Sequence, residues 1–216
     1  MSNLCKKDGV CHIVGAAPIR RLELEKSCGD MIIAADGGYK TLDEHNIIPD
    51  VTIGDFDSCD ITPSGEILRL NPEKDITDTA RAVQYGRDCG YGSFIIYGGI
   101  GGRTAHTLAN IQLMSDMAKS GERCMLVGDD ECMTVIHNSC VEFCDDSAGY
   151  ISVFSLDDKS SGVCEFGLKY TISDYEMINT YPIGVSNEFI GESAKISVEN
   201  GTLLIVFNSK TAKILK

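Results

Sequence analysis

Short apolar runs and longer mixed segments take turns through the first half of the chain. The runs at 11–15 (CHIVG), 31–35 (MIIAA), 51–53 (VTI), 93–97 (SFIIY) and 123–127 (RCMLV) predict strands. Between them, residues 19–28 predict a helix after Pro18, and residues 39–45 predict a short one stopped before Pro49. Residues 76–89 predict a third. The clearest helix is 104–119, where Leu108, Ile111, Met114 and Met117 recur at helical spacing. Strands alternating with helices predict an α/β domain: a Rossmann-like, mainly parallel sheet with helices on both faces.

The pattern changes near residue 135. The stretches 134–137, 150–156, 163–170, 184–190, 194–198 and 202–207 are short, rich in β-branched and aromatic residues, and parted by Gly, Asn, Ser and Asp. They predict an antiparallel β domain, a sandwich or a half-barrel, with the sandwich preferred. Glu199-Asn200-Gly201 carries a hairpin signal between the last two. The expected domains are 1–135 (α/β) and 136–216 (β).

Charge and composition narrow the partners. A net charge of -13 with no basic run disfavours nucleic acid and anionic membrane surfaces. No apolar stretch approaches the ~20 residues a membrane span needs, and the polar residues 1–9 do not resemble a signal peptide. The expectation is a soluble, cytoplasmic protein. Ten cysteines contain no C-x-x-C pair, so they predict reduced thiols, several buried as small apolar side chains.

The candidate chemistry sits just after the predicted strands. Asp36-Gly37-Gly38, Gly54-Asp55-Phe56-Asp57-Ser58 and Gly98-Gly99-Ile100-Gly101-Gly102-Arg103 each follow an apolar run. Open α/β sheets bind ligands at that end of their strands. Asp55 and Asp57 are two residues apart, so in extended chain both carboxylates point to one side and can share a Mg²⁺; a polar turn is the competing reading. Asp75 can cap the helix that follows, with Thr77 and Asp78 in its first turn, while Asp78 can also serve as a metal ligand or proton acceptor. The glycines ahead of the long helix suit close approach of an anion to backbone N–H groups, and Arg103 can grip phosphate with two donors. His106, one turn on, can face the site or the solvent. Carboxylates alone repel phosphate, so a divalent cation is expected between them.

Taken in order, these blocks resemble the thiamine pyrophosphokinase family. The resemblance rests on Ala-Ala-Asp36-Gly-Gly, Pro49-Asp50 with Ile-Gly-Asp55-Phe-Asp57-Ser, Lys74-Asp75-Ile-Thr77-Asp78, Gly-Gly99-Ile-Gly-Gly102-Arg103 with His106-Thr-Leu-Ala-Asn110, Gly-Leu-Lys-Tyr170 and Val-Ser186-Asn187-Glu-Phe189. It implies transfer of pyrophosphate from ATP to thiamine, with Mg²⁺, in a homodimer whose active sites lie between subunits. It carries Asp55, Asp57 and Asp78 over as metal-binding and catalytic carboxylates. Asp36, Gly37, Asp75, Thr77, Gly99, Gly102, Arg103 and His106 fall on the nucleotide side, and Ser186 and Asn187 on the thiamine side, in the β domain.

This chain departs from the family at one position of the glycine loop. Where the family has Gly-Arg-x-Asp-His, it has Gly102-Arg103-Thr104-Ala105-His106, and Ala80 follows Thr79 where an acid is common. A relative that binds thiamine diphosphate or nucleotide without turnover therefore stays in view, as does a pyrophosphokinase for another small alcohol.

Overall fold

The computed structural model describes residues 7–54, 66–69, 76–208, 211 and 214. It divides into two compact units, Met1–Leu113 with Glu122–Asp129, and Met114–Gly121 with Asp130–Lys216. The chain is α/β, with parallel pairing in the first unit and antiparallel pairing in the second.

Six strands of the first unit run parallel: β1 (Cys11–Val14), β2 (Met31–Ala35), β3 (Val51–Gly54), β4 (Glu66–Arg69), β5 (Ser93–Tyr97) and β6 (Arg123–Val127). Their order is β6-β5-β1-β2-β3-β4. The chain moves outward from β1 to β4, then returns to the far side of β1 for β5. β1 and β5 are thus neighbours whose connections leave in opposite directions, and such a reversal opens a crevice at the carboxyl ends of the strands. Helices α1 (Gly38–Glu44), α2 (Asp78–Asp88) and α3 (Thr104–Lys119) follow β2, β4 and β5.

The period-2 alternation of β1 assigns α1 and α2 to opposite faces. Tyr39 and Leu42 of α1 bury against Val14, Ile32, Ala34 and Tyr97. Burial of such side chains contributes about 1.5–3 kcal/mol each. Gly86 of α2 meets Cys11 and Phe94, which point the other way from Val14 and Tyr97. On α3, Met114 and Met117 are fully buried, but Leu108 is exposed, which corrects the expected apolar face: the buried polar neighbour is Asn110.

The amino-terminal end of the sheet is closed by carboxylates. Asp30 accepts the Val10 and Ser27 N–H groups at 2.7 and 2.8 Å. Asp50 accepts Ile32 N–H at 2.7 Å and Lys26 Nζ at 2.7 Å. His12 is buried beside Asp30, with Nε2 3.4 Å from its carboxylate. Residues 19–28 do not form the expected helix. Ile19 and Leu22 tuck under the sheet instead, and the Arg20 N–H donates to Asp129 Oδ1 at 2.7 Å. Tertiary bonds claim the groups a helix would have used.

In the second unit, β7 (Glu131–His137), β14 (Thr202–Asn208), β9 (Tyr150–Ser155) and β12 (Gly184–Glu188) pair antiparallel in that order. A separate antiparallel sheet runs β11 (Ile172–Ile178), β10 (Lys159–Phe166), β13 (Ala194–Ser197), β8 (Cys140–Phe143). Phe143 packs on Phe189 and Phe207, both at a centroid distance of 5.2 Å, and so links the two sheets. The expected 199–201 hairpin is corrected: β13 pairs with β10 and β8, while β14 pairs with β7 and β9. The turn carries the chain from one sheet to the other, and Asn200 O accepts Ser161 N–H at 2.8 Å.

All eight cysteines among the described residues are free thiols, with Cys11, Cys124 and Cys132 buried. Among the described residues no helix is long and apolar enough to cross a membrane.

Candidate active site

The carboxyl ends of β2 and β5 carry Asp36, Gly37, Gly99, Gly102 and Arg103 of the predicted residues. The turn after β1 is bound to the turn after β5: Gly15 N–H donates to Tyr97 O at 2.8 Å and Ala17 N–H to Gly98 O at 3.1 Å. Gly98 has φ +64, and a Cβ there would stand 2.6 Å from Ala17 O. Only glycine accepts that conformation and that contact together. Farther along the loop, a Cβ on Gly102 would lie 3.1 Å from the Ala17 side chain.

Asn110 holds this loop from behind. Its buried side chain donates from Nδ2 to the Gly99 carbonyl at 3.0 Å. The glycine carbonyl is thereby turned inward, toward the helix. Arg103 then caps α3, its carbonyl accepting His106 N–H at 2.9 Å and Thr107 N–H at 3.3 Å. The Arg103 side chain is exposed at the positive end of a 16-residue helix. His106 and Ala105 are exposed in the first turn of the same helix.

Asp36 closes β2 in a left-handed conformation, φ 49, with its N–H donated to Ile53 O at 2.8 Å. A Cβ on Gly54 would lie 3.3 Å from Asp36 Cα and 3.9 Å from its carboxylate. Bare Gly54 thus lets the end of β3 run alongside Asp36, immediately before Asp55. Gly37 follows Asp36 and precedes the short α1.

The cap of α2 is Thr77, whose hydroxyl accepts Ala80 N–H at 3.2 Å. That corrects the expected cap at Asp75 and leaves Asp78 in the first turn, partly buried. Because α2 leads from β4 back to β5, its first turn lies on the same side of the sheet as the carboxyl ends. Asp55, Asp57 and Asp75 lie outside the described residues. Among the described residues no group of three His, Cys, Asp or Glu side chains is placed to hold a metal ion.

On this same side, Arg20 pairs with Asp129 through Nε at 3.0 Å as well as through its backbone N–H. These hydrogen bonds hold the Asp129 carboxyl below the ordinary carboxylate range. They tie the loop after β1 to the loop after β6.

Ser186 and Asn187 belong to the second unit. They form a bulge in β12, where the register with β9 shifts. Ser186 is exposed with φ 60, and its N–H donates to Ser152 Oγ at 3.0 Å. Asn187 is buried, and its amide is fully engaged within the chain. Oδ1 accepts Tyr170 N–H at 3.0 Å and Glu188 N–H at 2.9 Å. Nδ2 donates to Tyr170 O at 2.7 Å and to Glu165 Oε2 at 3.0 Å. An amide offers two donors and one two-lone-pair oxygen, and all are used here. Burial pushes the Glu165 carboxyl pKa up, against the opposing effect of the Asn187 bond.

Asn110 and Glu165 are functional candidates that the structure adds, and each has a signal in the sequence. Asn110 shares helical spacing with Met114 and Met117, so it is a polar residue on an apolar face. Glu165 shares an inward strand position with Val163 two residues earlier.

Glycine turns after β1 and β5, with Asp36 after β2, Asp78 in the first turn of α2 and Arg103 at the start of α3, are features that suit a phosphate-bearing ligand. The family comparison specifies it further. The model for thiamin pyrophosphokinase, catalytic domain, matches residues 23–126, and that for thiamin pyrophosphokinase, vitamin B1 binding domain, matches residues 141–203. The chain belongs to the thiamine pyrophosphokinase family. It is similar to thiamine pyrophosphokinase of Bacillus subtilis (strain 168), 26% identical over 182 residues, covering 81% of this chain and 85% of that one. The crystal structure of thiamine pyrophosphokinase from Bacillus subtilis superposes with a TM-score of 0.84 at 24% identity, over 93% of this chain and 99% of that one. Thiamin pyrophosphokinase from Candida albicans superposes with a TM-score of 0.76 at 17% identity, over 94% and 89% of the two chains. At these identities the superpositions speak for the fold alone.

Proposed function

We propose that the protein is a thiamine pyrophosphokinase, transferring pyrophosphate from ATP to the hydroxyethyl oxygen of thiamine to give thiamine diphosphate and AMP. The observation that carries this reading is the crevice at β1 and β5. There the Asn110-held glycine loop, Arg103 and Asp36 share one end of the sheet, in a chain matched by both family models. The first half, 1–135, is the Rossmann-like nucleotide-binding domain in this reading, and 136–216 is the thiamine-binding β sandwich.

Backbone N–H groups of the glycine loop and Arg103 would receive the phosphates, aided by the start of α3. Asp36, Gly37, Asp75, Thr77, Gly99, Gly102 and His106 complete the nucleotide side. The oxygen donors Asp55, Asp57 and Asp78 suit a hard cation, and the bare Gly54 beside the Asp36 carboxylate supports an acidic pocket at the end of β3. Mg²⁺ held there would screen the phosphate charge. One of these carboxylates, Asp57 or Asp78, orients the thiamine hydroxyl and accepts its proton as the oxygen attacks the β-phosphorus and AMP leaves. Positioning supplies much of the rate in such transfers. Ser186 faces the thiamine; Asn187 shapes the site from behind, since its amide is already committed. A homodimer completes the site, and the exposed Tyr181 and Ile183 just before β12, with Val185 on it, support an apolar contact surface.

The nucleotide product separates this reading from an ordinary kinase. Turnover of ATP with thiamine is expected to release AMP; release of ADP instead would contradict pyrophosphoryl transfer. Ala105, in place of the family's acid, favours a second reading, a relative that binds these ligands without turning them over.

A further inference from the structure

A carboxylate inside an apolar sheet is costly unless something requires it. Glu165 is 3% exposed, on the inward side of β10 beside Val163. On the neighbouring strands its backbone partners are the apolar Ile172 and Ile196. Its polar side-chain contact is with Asn187 Nδ2, at 3.0 Å.

The Asn187 amide, in turn, brackets Tyr170, accepting its N–H at 3.0 Å and donating to its carbonyl at 2.7 Å. Further contacts hold the same loop to β12. Lys169 N–H donates to Glu188 O at 3.0 Å, and Leu168 bridges to Phe189. Tyr170 nonetheless projects its ring outward, 62% exposed, with Lys169 Nζ 5.6 Å from the ring centroid. Because the Tyr170 backbone is bonded at both its N–H and its C=O, the ring leaves the surface from a fixed point.

We propose that Glu165 is a positioning residue for thiamine: it fixes the Asn187 amide, and that amide fixes the Tyr170 backbone, so that the Tyr170 ring and the adjacent Ser186 meet the organic substrate in one arrangement. The proposal rests on the reading of the second unit as the thiamine-binding half. Glu165, Asn187 and Tyr170 all belong to the second unit, whereas the phosphates fall to the first unit in that reading. The effect of Glu165 therefore falls on thiamine and not on ATP.

Glu165→Gln keeps the length and an oxygen acceptor for Asn187 Nδ2; Glu165→Leu removes the acceptor and keeps the volume. Steady-state kinetics should show the Leu variant with thiamine KM raised about tenfold, as expected when a buried donor, here Asn187 Nδ2, loses its acceptor, and with ATP KM unchanged. The Gln variant should stay within about threefold of wild type in thiamine KM, since a neutral acceptor retains part of that bond. Hydrogen exchange at the Tyr170 amide should speed up in the Leu variant and not in the Gln variant. This second readout needs no turnover. It tests the positioning even if the wild type proves inert toward thiamine and ATP, an outcome that would remove the functional reading alone. A folded Leu variant with unchanged thiamine KM and unchanged Tyr170 exchange overturns the proposal, as does an equal rise in ATP KM. A Gln variant as impaired as the Leu variant overturns it too, because charge rather than the hydrogen bond would then be at work. If the Leu variant does not fold, Asn187→Ser supplies the same comparison: it leaves Tyr170 without its bracket, and an unchanged thiamine KM there is equally fatal.

Discussion

Asn110 Nδ2 donates to the Gly99 carbonyl at 3.0 Å, from a helix that starts only a few residues after the loop it holds. The bond is buried, so neither partner has water as a substitute. It sets which way the Gly99 peptide faces, and so which backbone groups the loop offers to an anion. Asn110→Leu should lower kcat/KM for ATP by about tenfold or more, as expected when one buried hydrogen-bond partner is left unsatisfied. Asn110→Asp keeps a side chain of the same shape but puts an acceptor, charged when ionised, where the donor stood; it should be no better. An Asn110→Leu enzyme with unchanged ATP kinetics would show that the loop holds its shape without this bond.

Thr77 starts α2 by accepting Ala80 N–H at 3.2 Å, which places Asp78 in the first turn. Thr77→Ala should cost about 1 kcal/mol of stability, and Thr77→Ser should restore most of it. Because the cap fixes the direction of the first turn, the Ala variant should also lose turnover through Asp78. Urea unfolding and steady-state rates on the two variants check both parts. Equal stability of Ala and wild type would place the start of the helix elsewhere.

His12 and Asp30 make the stability depend on pH in two separate windows. Burial lowers the His12 pKa below its ordinary 6.5, although the Asp30 carboxylate pulls the other way. Between 6.5 and the lower folded value, the unfolded chain binds the extra proton and the folded one does not. Stability from this group is therefore complete above 6.5 and falls as the pH drops below it. Burial raises the Asp30 pKa, but the Val10 and Ser27 N–H bonds and His12 outweigh it and hold it below 3.8. Its contribution is present above 3.8 and is lost only as the pH falls further. Thermal melts of His12→Gln should be flat in the upper window and keep the acid loss. A His12→Gln profile that parallels wild type throughout would assign the upper window to another group.

Burial raises the Cys11 thiol pKa to about 12 and pushes Cys124 up further still. Cys28 and Cys140 are exposed. Thiolate is the reactive form, so brief alkylation of the native protein should label Cys28 and Cys140 and spare Cys11 and Cys124. Peptide mass mapping reads the outcome directly. Labelling of Cys11 at the same rate as Cys28 would mean that the sheet opens readily at β1.

Strands and helices with a buried face were legible from periodicity. β5, β6 and α3 lie where the apolar pattern places them, and β2 likewise. The elements that escaped share a physical cause. β4 ends the parallel sheet, and β8 and β11 are the two edges of the small antiparallel sheet. An edge strand such as β11, ISDYEMI, buries little but Met177, so its sequence carries almost no alternation to find. Residues 19–28 had helical spacing but were drawn into coil by contacts over a hundred residues away, through Asp129. The glycine turn after β5 and the acid that closes β2 were legible because glycines and an acid stand directly after apolar runs. Asp75 was misplaced as the cap because two oxygen-bearing side chains stood within one turn, and only the geometry shows that Thr77 accepts the bond. Asn187 could not be separated from a ligand contact by sequence. Its commitment to Tyr170 and Glu165 is a tertiary fact.

The central claim is pyrophosphoryl transfer by a chain that has Ala105 where its family has an acid. The most direct test incubates the purified protein with thiamine, ATP and Mg²⁺ and quantifies thiamine diphosphate and AMP by chromatography. Both products are expected in equal amounts, with turnover that disappears in Asp57→Asn. Absence of product while thiamine still binds by calorimetry would contradict that claim and identify a binding protein, with Ala105→Asp as the substitution to examine for rescue.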